Sequence, residues 1–182
     1  MTRRKLLLTS VCGFAIVALA ASFAGQRSAL AIGPDEEQAL LANTLGNAKV
    51  SLQQGFMASE REGQPISGKF EVDNGKLQLS VYTAKEGKFF EVIVDHITGT
   101  IAKVEPITEG EDLTHAKAQK AAMDRAKFKL ADAATMAKGQ AKGEVAEVLV
   151  VSAVPELKGD SPVAAVVLLQ GKRFSTASQP LD

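Results

Sequence analysis

The chain has 182 residues, of which 46% are hydrophobic, with 21 basic and 21 acidic residues, no tryptophan, one tyrosine and one cysteine. That is enough for one ordinary domain or two small ones around a packed core. The charges before Ile32 (Arg3, Arg4, Lys5, Arg27) are all basic, which leaves 17 basic against 21 acidic residues beyond Ala31, a formal −4; an acidic body with no basic run is poorly suited to nucleic acid.

That asymmetry marks the start of the chain as an export signal. Thr2-Arg3-Arg4-Lys5 is a positive leader, and residues 6–24 carry no charge. Ala18-Leu19-Ala20, Ser22-Phe23-Ala24 and Ala29-Leu30-Ala31 place small residues at the spacing read by signal peptidases, so residues 1–31 are expected to be a signal peptide. Its arginine pair leaves both the general and the twin-arginine export routes open. The alternative is a retained anchor helix, since the uncharged run is just long enough to span a bilayer; only then would the protein be held at a membrane. Either way the body is expected in the periplasm or outside the cell. Cys12 lies inside this segment behind Val11, which does not match a lipidation site, so the body has no disulfide, thiolate metal site or cysteine nucleophile.

Asp35-Glu36-Glu37 starts a first helix with acids where the helix dipole favours them; Leu40, Leu41 and Leu45 form its apolar stripe and Gly46-Asn47 ends it. Ser51 reads as the N-cap of a second helix running to about Glu62, closed by Gly63. Four strands follow. Residues 66–72 lead into Asp73-Asn74-Gly75, a strong hairpin signal. Residues 76–84 place Leu77, Leu79 and Val81 on one face and Gln78, Ser80 and Tyr82 on the other. After Glu86-Gly87, Phe90, Val92 and Val94 alternate with Phe89, Glu91 and Ile93, and residues 100–107 return as the fourth strand. A helix packed on a four-stranded antiparallel meander is the simplest way to bury one apolar face of each.

Glu109-Gly110-Glu111-Asp112 reads as a charged, flexible boundary. Beyond it come helical stretches at 114–129 and 131–141, then strands at 145–154, 163–169 and from Phe174, with turns at Lys158-Gly159-Asp160 and Gly171-Lys172. This second half overlays the first as a diverged repeat. Lys127-Phe128-Lys129-Leu130 answers to Lys49-Val50-Ser51-Leu52, and Gly159 and Gly171-Lys172 answer to Gly75 and Gly87-Lys88. The expected fold is therefore α+β in two tandem units, residues 35–107 with four strands and residues 112–182 with three, each a helix plus an antiparallel meander with its own preceding helix.

The turn after the third strand, Asp95-His96-Ile97-Thr98-Gly99, together with the strand before it (Phe90, Val92, Val94) and the return strand, resembles the signature of the PepSY family. The resemblance covers residues 49–107 well and 127–182 loosely, and it makes Asp95, Thr98 and Gly99 structural turn residues. PepSY domains occur in propeptides of secreted thermolysin-like peptidases and in other bacterial envelope proteins. The resemblance thus implies an exported binding module that inhibits or regulates an envelope or secreted peptidase in trans, since no peptidase follows in this chain. The alternative is a periplasmic sensor or carrier that holds a small ligand or metal between the repeats.

No catalytic constellation can be assembled from the residues. There is no Gly-x-Ser-x-Gly elbow, phosphate loop, dinucleotide fingerprint or calcium loop, and the carboxylates Glu60, Glu62, Glu109, Glu111 and Asp112 are scattered. His96 beside Asp95, and His115, are the only histidines, too few and too far apart to argue for a metal. The chain is expected to be a non-enzyme without a cofactor. The residues singled out for binding are Tyr82, Phe89 and Ile93, which share the sheet face opposite Phe90, Val92 and Val94. Left uncovered they would form an interface; the competing expectation is that the second repeat or the N-terminal helix packs over them.

Overall fold

The computed structural model describes residues 34–142 and 144–182, so the expected signal segment lies outside the described residues. The first helix, α1 (Pro34–Thr44), ends in a 3₁₀ turn at Leu45–Asn47, where Leu45 is buried. Helix α2 (Leu52–Ser59) starts as its sequence dictates: Ser51 Oγ accepts from the Gln54 backbone N–H, and Gln54 Oε1 accepts from the Ser51 N–H in return. This reciprocal cap satisfies two N–H groups that the first turn would otherwise leave open. A 3₁₀ turn at Glu60–Glu62 carries the chain to β1 (Gln64–Asp73).

Strands β2 (Lys76–Lys85), β3 (Lys88–Val94) and β4 (Ile101–Ile107) then follow as an antiparallel meander. Two-residue turns join the first three. Asn74-Gly75 and Glu86-Gly87 each hold positive φ at both central positions, the hairpin turn whose twist matches its strands. Helices α3 (Gly110–Met123) and α4 (Leu130–Gln140) lead to a second meander of β5 (Val148–Lys158), β6 (Ser161–Gln170) and β7 (Arg173–Pro180).

The two meanders do not form separate sheets. Strand β1 pairs antiparallel with β5 through Gly68↔Ala153 and Lys69↔Ser152, giving one seven-stranded sheet in the order β4-β3-β2-β1-β5-β6-β7. The expectation of one sheet per unit is corrected accordingly. The physical reason is that β1 and β5 would otherwise each present an open row of backbone donors and acceptors next to an apolar face. Joining them at the middle of both strands closes part of each row and lets α2 and α4 pack side by side over the seam.

One core lies under those two helices. Leu52, Phe56, Leu79, Val81, Val92 and Val94 from the first half are continuous with Leu130, Ala133, Ala134, Ala153, Val166 and Leu168 from the second. Gly68 in β1 has no side chain because a Cβ there would lie 2.6 Å from Cε1 of Phe56 and 3.2 Å from Cδ1 of Leu52. This position, in the middle of the sheet, lets α2 approach the backbone closely.

Helix α3 covers the central strands of the other face. Leu79 packs against α2, so its neighbours Ser80 and Tyr82 point away from that helix, and Tyr82 Oη donates to Asp112 Oδ1 in α3 at 3.1 Å. Ser67 Oγ donates to Gln119 Oε1 at 2.8 Å one helical stretch further on. The segment read as a flexible boundary is thus corrected: Gly110, Glu111 and Asp112 form the first turn of α3. Acids in that turn suit the dipole, and Asp112 has a partner thirty residues upstream that local sequence could not reveal.

Candidate partner-binding face

On the sheet face opposite α2 and α4, the register sets Tyr82 across from Glu91, Ala84 from Phe89, and Ser80 from Ile93. Phe89 and Ile93 therefore flank Glu91 along β3, with Tyr82 beside it. The next strand continues the pattern with Ile107, Glu105 and Lys103 opposite Phe89, Glu91 and Ile93. Helix α3 lies over β1, β2, β5 and β6. The three residues singled out from the sequence are on one face, as their alternation requires, and all are half-buried. Tyr82 is held under the N-terminus of α3, while Glu105 next to the group is exposed.

The face is polar at its centre. Glu71 accepts from Ser80 Oγ at 2.8 Å and pairs with Lys69 Nζ at 2.6 Å, both of that ion pair's side chains being about four-fifths buried (20% and 18% exposed). Burial raises the Glu91 carboxyl above its usual range, and the nearby Glu71 charge adds to this; the Ser80 hydroxyl and the Lys69 ammonium act the other way. Burial also raises the Tyr82 phenol, helped by the negative charges of Glu91 and Asp112. Tyr82 therefore stays a neutral donor to Asp112.

A stability consequence follows for Glu91. Its folded pKa lies above the unfolded value, so just above that unfolded value the folded state binds more protons. Stability contributed by the protonated carboxyl is lost as pH rises through the folded pKa. Glu91→Gln is expected to raise the melting temperature at pH 7, with the gain disappearing below about pH 4, where the carboxyl is protonated in both states. Thermal melts of both proteins at pH 4 and pH 7 check this; a gain of equal size at both would remove the electrostatic cause.

The Asp95–Gly99 turn closes the β3–β4 hairpin. Asp95 Oδ1 accepts from the backbone N–H groups of Ile97 and Thr98, each at 2.8 Å, and these bonds, Thr98 first, hold its carboxyl below the usual range. The Asp95 N–H donates to Thr100 O, and Gly99, at φ 75°, donates to Asp95 O. Thr98 and Thr100 hydroxyls share a hydrogen bond at 2.8 Å. The carbonyl of His96 accepts from both Lys49 and Val50, tying the turn to the start of α2. Asp95, Thr98 and Gly99 thus act on backbone geometry. Neither histidine joins other ligands: no group of three His, Cys, Asp or Glu side chains that could hold a metal occurs among the described residues.

One feature had no sequence signal. A cavity of about 300 Å³ opens where the C-terminal end of α2 meets the N-terminal end of α4, lined by Phe56, Pro65, Met123, Leu130 and Ala131. Its rim carries the ion pair between Lys129 Nζ and Glu60 Oε1 at 2.7 Å, which raises the Lys129 pKa. Its walls come from both halves of the chain, so no single stretch could announce it.

No protein-family model matches the chain, and no curated protein matches it. Among solved structures, it is similar to a crystal structure named as a candidate lipoprotein from Clostridium difficile 630, at 14% identity over 74% of this chain and 88% of that one, with a TM-score of 0.42. A likeness at that level transfers neither fold nor function. No helix among the described residues is long and apolar enough to cross a membrane.

Proposed function

We propose that this chain is an exported binding module of two PepSY-like units that engages another envelope or secreted protein, with a peptidase held in trans as the favoured class of partner. The observation that carries the reading is the β3–β4 face. It joins the turn resembling the PepSY signature to a surface where half-buried Phe89 and Ile93 flank a carboxylate. Apolar anchors ringed by polar groups are the usual make-up of a small interface.

The tandem character is supported by a backbone parallel. His96 O accepts from Lys49 and Val50 before α2, and Leu181 O accepts from Lys127 and Phe128 before α4. Export is supported by the basic leader and the small-residue sites of residues 1–31.

Changing Phe89 and Ile93 together to serine is expected to abolish capture of a defined partner while lowering the melting temperature only modestly, through the loss of Phe89's partial packing against the core. The check is capture from envelope extract by wild type and variant side by side, followed by inhibition assays on any peptidase recovered. A partner retained equally by both proteins overturns the assignment of this face, and a collapse in melting temperature makes the two residues core.

A second reading has its own observation. The cavity between α2 and α4 is bounded by both halves, which suits a sensor or carrier of a small apolar ligand. Ala131→Trp, which fills the cavity from a half-buried wall position and leaves the buried Leu130 in place, would then abolish a ligand-induced thermal shift that the Phe89/Ile93 variant retains.

A further inference from the structure

Strand β4 is one edge of the sheet, and its backbone presents a specific face to solvent. Because Glu86-Gly87 is a two-residue turn with both φ positive, Lys85 and Lys88 close the hairpin as a hydrogen-bonded pair. Alternation along β3 then directs the backbone groups of Phe90 and Val92 toward β2, and those of Phe89, Glu91 and Ile93 toward β4. Their partners Ile107, Glu105 and Lys103 bond back to β3. Val104 and Pro106 are left with backbone groups aimed outward. Val104 also exposes 38% of its surface.

The side chains beside that open position are Lys103 and Glu105, paired with each other at 2.7 Å and 60% and 48% exposed. In an antiparallel pairing of two copies about a two-fold axis at Val104, Val104 faces its own copy and exchanges both backbone bonds with it. Lys103 then faces Glu105 of the other copy, twice. Sliding the pairing by one alternation either way sets Lys103 against Lys103 or Glu105 against Glu105. Opposed like charges across a strand pair are unfavourable. Pro106, which has no N–H, cuts the ladder short for any strand that needs more than these central bonds.

We infer that the β4 edge is a self-recognition site, at which two copies of this chain join their sheets in the single register centred on Val104. The charges and the proline that guard the edge against unrelated strands are the features that select an identical partner. Because the axis runs perpendicular to the sheet, the Phe89–Glu91–Ile93 surfaces of the two copies lie on the same side. The inference does not depend on the function proposed above, and partner capture and self-association are read separately.

Sedimentation velocity on the protein purified from expression of the full chain tests it. The expected result is a concentration-dependent dimer in the micromolar range that loosens with added salt, since exposed charge pairs are screened. Lys103→Glu is expected to weaken the dimer by about tenfold or more, and Lys103→Glu with Glu105→Lys to restore it to within about threefold, because the swap re-forms both pairs. Val104→Pro, which removes the outward N–H, is expected to give monomer with its melting curve retained. A protein that stays monomeric up to several hundred micromolar overturns the inference. So does a dimer that ignores both Lys103→Glu and the charge swap, which keeps the test decisive even if Val104→Pro fails to fold.

Discussion

Leu52→Ala is expected to lower the unfolding free energy by about 3–5 kcal/mol. Leu52 is the first residue of α2, fully buried, and its Cδ1 sits against the bare backbone of Gly68 at the centre of the sheet. Truncation removes apolar contacts and leaves a hole that neither the capped helix start nor the paired strand can close. The same holds for Leu130, which begins α4 and is 2% exposed. Because one core spans both helices and the seam between β1 and β5, each substitution is expected to shift a single unfolding transition. Urea denaturation followed by circular dichroism and by the fluorescence of Tyr82, the only tyrosine, checks this. If Leu52→Ala separated the curve into two steps, with the Leu130 region persisting, the halves would be independent folding units.

The second large effect is expected at Gly63, where α2 and its 3₁₀ turn give way to β1. Its φ is 150°, and a Cβ there would lie 2.7 Å from the carbonyl oxygen of Ala84, part of the backbone of β2. Gly63→Val combines an unfavourable backbone conformation with a clash against an atom fixed in the sheet, and should cost about 3 kcal/mol or more. Gly46→Ala is the matched control: a Cβ at Gly46 meets nothing within 4 Å, and its φ is not in the positive region. It should leave the urea midpoint nearly unchanged. Equal midpoints for Gly63→Val and wild type would show that the α2–β1 junction relaxes freely.

What could be read from the sequence was local. The Ser51 cap, the Asn74-Gly75 and Gly171-Lys172 turns and the alternation of β2 and β3 all appear where residue chemistry placed them, because each depends on neighbours a few positions away. The α+β class followed from those elements. Misreadings arose where the deciding partner is distant in the chain. Glu109–Asp112 looked like a linker because its tie to Tyr82 is not encoded nearby. The single sheet depends on Gly68 meeting Ala153, a pairing that neither strand's pattern signals. For the candidate face, alternation placed Tyr82, Phe89 and Ile93 on one side, while their half-burial arises from tertiary packing, with α3 capping Tyr82. The cavity between α2 and α4 belongs to the same category, since it exists only once both helices lie side by side.

The seam between β1 and β5 also sets an order of events during folding. Every other strand pair in the sheet joins consecutive strands, with β1–β2, β2–β3, β5–β6 and β6–β7 closed by two-residue loops, whereas β1 and β5 are brought together only across the rest of the first meander and the α3–α4 segment. Hairpins of that kind form within microseconds, and a contact between residues 68 and 153 must wait for a far longer loop to close. During folding, β1 therefore spends an interval with one side zipped to β2 and the other bare. Until β5 arrives, that bare side, carrying Gly68 and lying next to unfilled core, is an edge open to pairing with other chains.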